Sequence, residues 1–592
     1  MNALALHAEK PLSAEERDRF RSYGEQKLDG MPSGFDLRSN GVWRTEEDAP
    51  DIWVCAALRV VAMARTERGD GWGRLIEFFD DDGRAQRIAI PARMFAGEGV
   101  GVRELLLDRG LQIASTRKGR AYLLDLLQQW CPKARATSTE RLGWTDASCI
   151  SFALGDGRVI GDAQVVFQSE AGPGAAMEMH EKGTVADWRD TVGAACGGNL
   201  LLTTSVSLAL TAPLLEMLGL EGGGLHLRGA SSAGKSTVLR VATSVWGSRG
   251  LMSTWRATAN GLEGVAATCN GTLLALDELG EVEPAEAGKA AYMLCNGIGK
   301  TRSTRAGGGA RPSVRWRTCV LSSGEISVAD KMAEAGKRAK AGQEVRLLDI
   351  AADDRQFGAF DELHGQQGGA AFAEHLDRVS SEHYGTVGPA FVRALLDQTI
   401  AVASQTAGQL INAFRERASA EFGDDGQTSR AARRFALIAA AGEMATAFGL
   451  TGWKEGEAAD AAIEVMRVWL RGRGGSGPGE AKEAIERTRK FLIEHGASRF
   501  EQLPDEGCSA PQRAVHHRAG WSDGDVYYIA ADVWRSEVHS GSDHQHAAKH
   551  VLAAGYIHER EGDRLTTKLG RSVRGRPRAY AISSAILGED EP

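Results

Sequence analysis

The sequence predicts an α/β core, a parallel sheet held between helices, preceded by an α+β domain and followed by a helical lid and a C-terminal winged-helix domain. Three observations predict the core. A strand-like run, Gly224–Arg228, enters the glycine-rich turn Gly229-Ala-Ser-Ser-Ala-Gly-Lys-Ser236, and a helical pattern, Thr237–Trp246, leaves it. A second apolar run, Gly271-Thr-Leu-Leu-Ala-Leu276, ends in two acids, Asp277 and Glu278. A third, Thr318-Cys-Val-Leu-Ser-Ser323, ends in small polar residues. Unbroken apolar runs of this length read as strands buried on both faces.

The chain has 592 residues, too many for one core, so three or four domains are expected. Its net charge of −8 excludes a general basic coat for nucleic acid, so any such contact must come from local patches. Eight scattered cysteines form no C-x-x-C pair, which argues against a zinc site or a disulfide framework and fits a reducing cytoplasm. No signal peptide and no 18-residue apolar span are visible.

In chain order, residues 1–40 read as a polar arm and 41–190 as the α+β domain. Runs at 72–79 and 85–90 flank Asp80-Asp-Asp-Gly83, a hairpin signal, and helical stretches follow near 101–109 and 120–129. The run Leu200–Leu220 reads as one buried helix packed on the core, which spans 191–355. Residues 356–471 are alanine-rich with helical periodicity, the lid. Gly472-Arg-Gly-Gly-Ser-Gly-Pro-Gly479 is the clearest linker, and 480–592 form the last domain.

The turn matches G-x-x-x-x-G-K-[ST], the phosphate-binding loop of P-loop NTPases. Glycines let the backbone wrap a phosphate without a Cβ clash, and loop N–H groups and the helix N-terminus face the anion. Gly229, Ser232, Ala233, Gly234, Lys235, Ser236 and Thr237 are thus the expected ATP-binding set. Lys235 neutralises the β and γ phosphates and Ser236 ligates Mg²⁺. Asp277 is expected to hold the same ion, and Glu278 to polarise the attacking water. Ser322 or Ser323, on a strand beside the acidic one, would lie near the γ phosphate. Arg346 opens the segment Leu347-Leu-Asp-Ile350 at the domain edge, where it suits a finger reaching into a neighbour's site. Arg430, Arg433 and Arg434 precede an apolar helix, and one of them is a candidate for the γ phosphate in the same chain.

Between the acidic and serine-tipped strands lies a hairpin-like basic stretch. Lys300, Arg302, Arg305, Arg311, Arg315 and Arg317 fall there, with no acid from Gly299 to Gly324. In an acidic chain such a cluster suits a phosphate backbone, contacted without regard to base sequence. A charged helix, Val328–Ala341, follows the serine-tipped strand.

The order of these segments, with Leu225–Ser236, Val241–Gly247 and Trp255–Glu263, resembles the family catalogued as domain of unknown function 927, predicted helicases of mobile elements and prophages. The similarity covers roughly residues 45–470. The layout is also similar to superfamily 3 helicases, AAA+-like ring hexamers that move along one DNA strand. That resemblance implies that the 300–311 hairpin grips DNA and that Arg346 acts in a neighbouring subunit. It usually places Asn where this chain has Ser, and a primase domain often precedes such a motor; none is found here.

The last domain reads as a winged helix, with helices at 481–496, 530–539 and 543–554 and wing strands at 555–558 and 579–583. Between those strands Arg564, Lys568, Arg571, Arg574, Arg576 and Arg578 supply six cations and no acid falls between Arg564 and Arg578. Such a wing suits DNA phosphate or minor-groove contact. The expectation is an ATP- and Mg²⁺-dependent DNA helicase forming a homo-oligomeric ring, with a separate primase or initiator as possible partner and no membrane. The alternatives are an ATP-switched initiator or loader that never unwinds, and a phage-defence ATPase.

Overall fold

The computed structural model describes residues 28–162, 164–168, 178–300, 302–303, 310–311, 313–337, 345–424, 426–472, 479–503, 515–540, 544–559, 564–570, 573 and 575–588. The chain forms two compact units, Met1–Arg417 with Ala432–Trp469, and Ala418–Ala431 with Leu470–Pro592. Most of the polar arm, residues 1–27, and most of the glycine-rich linker, 473–478, lie outside the described residues.

The first unit opens with an antiparallel meander, Phe35–Arg38, Gly41–Arg44 and Ile52–Cys55. A mixed five-stranded sheet follows, ordered Val165–Phe167, Arg135–Thr139, Leu58–Arg65, Gly73–Phe79, Ala85–Pro91. Its last two strands are the hairpin expected around Asp80–Gly83, and they pair antiparallel. Helices Val100–Asp108 and Arg117–Gln129 cover it. Their Leu106, Leu123, Leu126 and Leu127 share one core with Val60, Ile76, Phe78 and Ile90. The second helix starts at Thr116, whose hydroxyl accepts from the Gly119 N–H and satisfies an orphan donor.

The central sheet has five parallel strands. They are β1 (Gly223–Arg228), β2 (Ser253–Thr254), β3 (Leu273–Asp277), β4 (Cys319–Gly324) and β5 (Leu347–Ala351). The spatial order is β2-β3-β4-β1-β5. The serine-tipped strand β4 therefore lies beside the acidic strand β3, and also separates it from the loop strand β1. Helices α1 (Lys235–Thr243), α2 (Ala259–Thr268), α3 (Pro284–Asn296) and α4 (Val328–Ala333) connect them. Because every strand runs the same way, Arg228, Asp277, Gly324 and Ala351 all finish at one edge. The strand beginnings, Gly223, Cys319 and Leu347, share the other edge.

Two sequence expectations are corrected here. The run Leu200–Leu220 is not one helix but two, Leu200–Ala209 and Ala212–Met217. Pro213 explains the break: it suits the first turn of a helix but cannot donate within a continuing one. The charged helix expected over 328–341 ends at Ala333. Gly336 takes φ +65° just beyond it, and the Lys337 N–H returns to the Met332 carbonyl, a left-handed stop.

After β5 the chain folds back over the loop before entering the helices Gly369–Glu382, Val387–Asp397, Ile400–Phe422, Gly426–Ala447 and Glu457–Gly472. One of these helices approaches Leu200–Ala209 so closely that a Cβ on Gly442 would sit 2.2 Å from the Ser207 hydroxyl.

The second unit carries helix Gly479–His495 and a sheet ordered Phe500–Gln502, Gly520–Ser522, Val526–Ala530, Arg578–Ser583, Ile557–Glu559. Thr567–Lys568 also pairs with Arg578–Ser583. Trp534 stacks on Tyr580 at 4.5 Å and meets His539 at 4.3 Å, binding the short helical turns 531–538 to the sheet. Strands at 500–502 and 520–522 had no sequence signal; three residues are too few to show a period.

Candidate active site

The glycine-rich loop turns sharply from β1 into α1. Gly234, at φ +94°, caps the helix, and Ser232 also takes a left-handed φ of +63°. Such a φ costs a side-chain-bearing residue about 1–2 kcal/mol, so Ser232 is held there by its surroundings. The Lys235 ammonium folds back over the loop and donates to the carbonyls of Gly229 at 2.9 Å and Ala230 at 2.6 Å. It is buried, beside the half-buried Ser236 and the buried Thr237.

The chain after β5 braces this turn. The Ala230 N–H donates to the Asp353 carboxylate at 2.6 Å, and the Ala359 N–H to the Ala233 carbonyl at 2.7 Å. Phe360 packs against Gly234, where a Cβ would meet its ring at 2.8 Å. Arg355 pairs with Asp361 at 2.8 Å, and the other oxygen of Asp361 accepts the Leu200 N–H at 2.8 Å. Sequence reading missed this brace because its contacts with the loop and with Leu200 join residues more than a hundred positions apart.

At the end of β3, Asp277 accepts a hydrogen bond from the Ser323 hydroxyl. Of the two serines considered for the site, Ser323 is the one that touches the acid. Neighbouring residues of a strand face opposite ways, and Ser322 is engaged elsewhere. The Trp255 indole N–H donates to the Ser322 oxygen at 2.8 Å, and Ser322 bonds the His226 Nδ1 at 2.9 Å. His226 Nε2 meets the Ile326 carbonyl at 2.9 Å. A carbonyl only accepts, so Nε2 carries the proton and Nδ1 accepts a hydrogen bond from the Ser322 hydroxyl. Burial lowers the His226 pKa and keeps the ring neutral. This relay ties β1, β4 and the end of β2 together, and the backbone N–H of Trp255 donates to the Asp277 carbonyl at 3.0 Å.

Glu278 is exposed and sits at φ +62°, with its N–H on the Asp277 carboxylate at 3.1 Å. Glycine would take this conformation freely; a glutamate held in it points to a demand on the side chain.

Arg346 lies at the opposite edge, just before β5, where its carbonyl accepts the Gly224 N–H at 2.9 Å. It pairs with Glu221 at 3.6 Å, and its guanidinium stands 4.7 Å from the Tyr292 ring centre. Arg434 is half-buried at the same edge and donates to Val345 at 2.6 Å and Gly222 at 2.6 Å. This corrects the reading of Arg434 as a candidate for the γ phosphate of its own chain. The length of β1, about 17 Å at 3.3 Å per residue, separates it from the loop, so it holds the strand beginnings instead.

The basic stretch forms a hairpin whose strands pair Arg302 with Arg311 and Ser303 with Ala310. Its stem continues downward through Gly299 N–H to Val314 and Trp316 N–H to Gly297. Lys300 stands at the stem; of Arg302 and Arg311 the backbone alone is described, and Arg305 lies outside the described residues. In the second unit Arg564, Lys568, Arg576 and Arg578 are described, while Arg571 and Arg574 lie outside. Arg578 donates to the Thr566 carbonyl at 3.3 Å, and Arg576 to that of Leu569 at 3.3 Å. Both therefore also brace their own loop. Among the described residues no helix is long and apolar enough to cross a membrane.

A glycine-rich loop between strand and helix, with acids closing another parallel strand of the same sheet, defines an α/β NTPase-like core. Residues 35–315 match the family described as "Domain of unknown function (DUF927)", and this part of the chain carries that domain. A solved structure described as "SCCmec type IV Cch - active helicase" is similar over 94% of this chain and 99% of that one, with a TM-score of 0.66 and 18% identity. At that identity the likeness is one of fold. No curated protein matches the chain.

Proposed function

We propose that this chain is an ATP-dependent DNA helicase that works as a homo-oligomeric ring, most simply a hexamer. The observation that carries the reading is the division of the sheet: Lys235, Ser236, Asp277, Glu278 and Ser323 at one edge, Arg346 at the other. One strand length, about 17 Å, lies between them, so Arg346 can serve a phosphate only in another copy. The likeness to a helicase of a mobile element supports the same reading and suggests replication or maintenance of such an element.

In this reading the loop amides and Lys235 bind the phosphates of ATP, and the ammonium exchanges loop carbonyls for phosphate oxygens. The oxygen donors Ser236 and Asp277 suit Mg²⁺, a hard ion, which supplies charge neutralisation when bound. Ser323 orients the Asp277 carboxylate, and Glu278 polarises water for attack. Arg346 from the neighbour stabilises the charge that develops as the phosphate leaves. The core is AAA+-like, residues 356–471 act as its lid, and 480–592 serve as a winged-helix DNA-binding domain. The hairpin at 300–311 moves one DNA strand, and the wing cations Arg564–Arg578 hold duplex.

Strand displacement on a forked DNA with ATP tests this. Lys235→Ala is expected to abolish hydrolysis and unwinding; Lys300→Ala/Arg302→Ala is expected to spare hydrolysis and stop unwinding. Wild-type protein that hydrolyses ATP and binds DNA but never separates strands would make the chain an ATP-switched loader instead.

A further inference from the structure

The α3 helix carries an aromatic ring that faces two ways. Tyr292 is 41% exposed, in a helix that buries Ala287, Ala290 and Ala291. One side of its environment is the Arg346 guanidinium, 4.7 Å from the ring centre. The other is a groove of about 190 Å³, which the ring lines together with Met293, Ile298, Gly299 and Lys300. Those last three residues are the base of the basic hairpin.

The connection is mechanical as well as spatial. From Gly297 to Trp316 the two arms of the hairpin are joined by backbone hydrogen bonds, and Ile298 pairs with Arg315. The buried Trp316 donates its indole N–H to the Leu294 carbonyl of α3 at 2.9 Å. A force on the hairpin strands is therefore delivered to the end of α3 and to the groove beneath Tyr292. Ile298 is itself 41% exposed and Val314 44%, so these two stem residues are open to solvent. One ionic partner of Arg346, Glu221, is 70% exposed, and a pair so open in water holds its geometry weakly. The Tyr292 face, 4.7 Å from the guanidinium, is a further restraint on it.

We infer that Tyr292 is a positioning residue that couples the hairpin to Arg346: engagement of DNA by the hairpin resets the groove, and the ring carries the change to the guanidinium that serves the neighbouring subunit. This rests on the proposed reading of the hairpin as DNA grip and of Arg346 as finger.

The test compares Tyr292→Phe and Tyr292→Leu with wild type, reading ATP hydrolysis without DNA and at saturating single-stranded oligonucleotide, together with oligonucleotide affinity. Phenylalanine keeps the π face; leucine keeps apolar bulk in the groove but has no face for the cation. The expected result is that the ratio of DNA-stimulated to basal hydrolysis is retained in Tyr292→Phe and falls about three- to tenfold in Tyr292→Leu, at unchanged DNA affinity. A wild-type ratio in Tyr292→Leu overturns the inference. So does an equal fall in both variants, or a loss of DNA affinity in Tyr292→Leu, which would make the ring a DNA contact or a plain structural support. Wild-type protein that shows no stimulation by DNA overturns the underlying motor reading itself, and is told apart from the other outcomes before either variant is made.

Discussion

Glu278→Gly should give a protein that is slightly more stable and nearly inactive. Glu278 occupies the left-handed region at φ +62°, immediately after the acid that ends β3. That conformation costs a residue with a Cβ about 1–2 kcal/mol. Glycine removes the cost but adds about 0.5–1 kcal/mol of chain entropy to the unfolded state. The net gain is about 0.5–1 kcal/mol, which for a large unit raises the thermal midpoint by about 1–2 °C. The Glu278 N–H bond to Asp277 belongs to the backbone, so it survives the change. Glu278→Gln keeps the strain and should leave the midpoint where it was. In the proposed reading both variants lose the carboxylate that polarises water, an expected loss of about 10²–10⁴-fold in turnover, while binding of ATP persists. The assays are calorimetric melting of the nucleotide-free protein and steady-state release of phosphate. A glycine variant that turns over within tenfold of wild type refutes the assignment of the water to Glu278. One that melts lower refutes the argument from strain.

Two further outcomes test the frame of the site. Burial lowers the His226 pKa, so the folded state keeps this ring neutral where the unfolded chain, with a value near 6.5, takes up a proton. The unfolded state then binds more protons below about pH 6.5, and the ring's contribution is complete above that pH and lost as pH falls. The loss is at most about 1.4 kcal/mol per pH unit, read as the difference in urea stability between wild type and His226→Gln from pH 7.5 to 5.5; parallel curves would show that the ring does not titrate this way. Arg434→Met strands the carbonyls of Gly222 and Val345 and should cost about 2–4 kcal/mol while leaving ATP affinity intact. Loss of ATP affinity at unchanged stability would return Arg434 to the phosphate.

The parts of the site legible in the sequence are those whose chemistry is local. Gly234, Lys235 and Ser236 are consecutive, and the loop needs their backbone freedom and charge at that spacing. The acids closing β3 stand out because an apolar run ends on them. What stayed hidden depends on folding distant strands together. Whether Ser322 or Ser323 meets the site is a question of pleat, and the answer came from Trp255 and His226 claiming the first. Strand order was equally silent, since nothing in β4 itself says that it inserts between the loop strand and the acidic strand. Arg434 misled because an arginine ahead of an apolar helix carries no mark of which sheet edge the helix will meet. The break at Pro213 was within reach of sequence reading: a proline in the middle of an apolar run is a helix start as readily as a blemish.

The separation of Arg346 from Lys235 gives the molecule a head and a tail. Under the proposed reading, head-to-tail stacking would complete one site at each contact, and an open row of such copies would keep one loop without an arginine and one arginine without a loop. Closure into a circle removes both loose ends at once, so the last subunit to join completes two sites where each earlier one completed a single site. Hydrolysis per chain should therefore jump on closure rather than climb evenly with length, and a mixture doped with Arg346→Ala copies should lose activity in proportion to contacts broken, one silent site for each doped subunit.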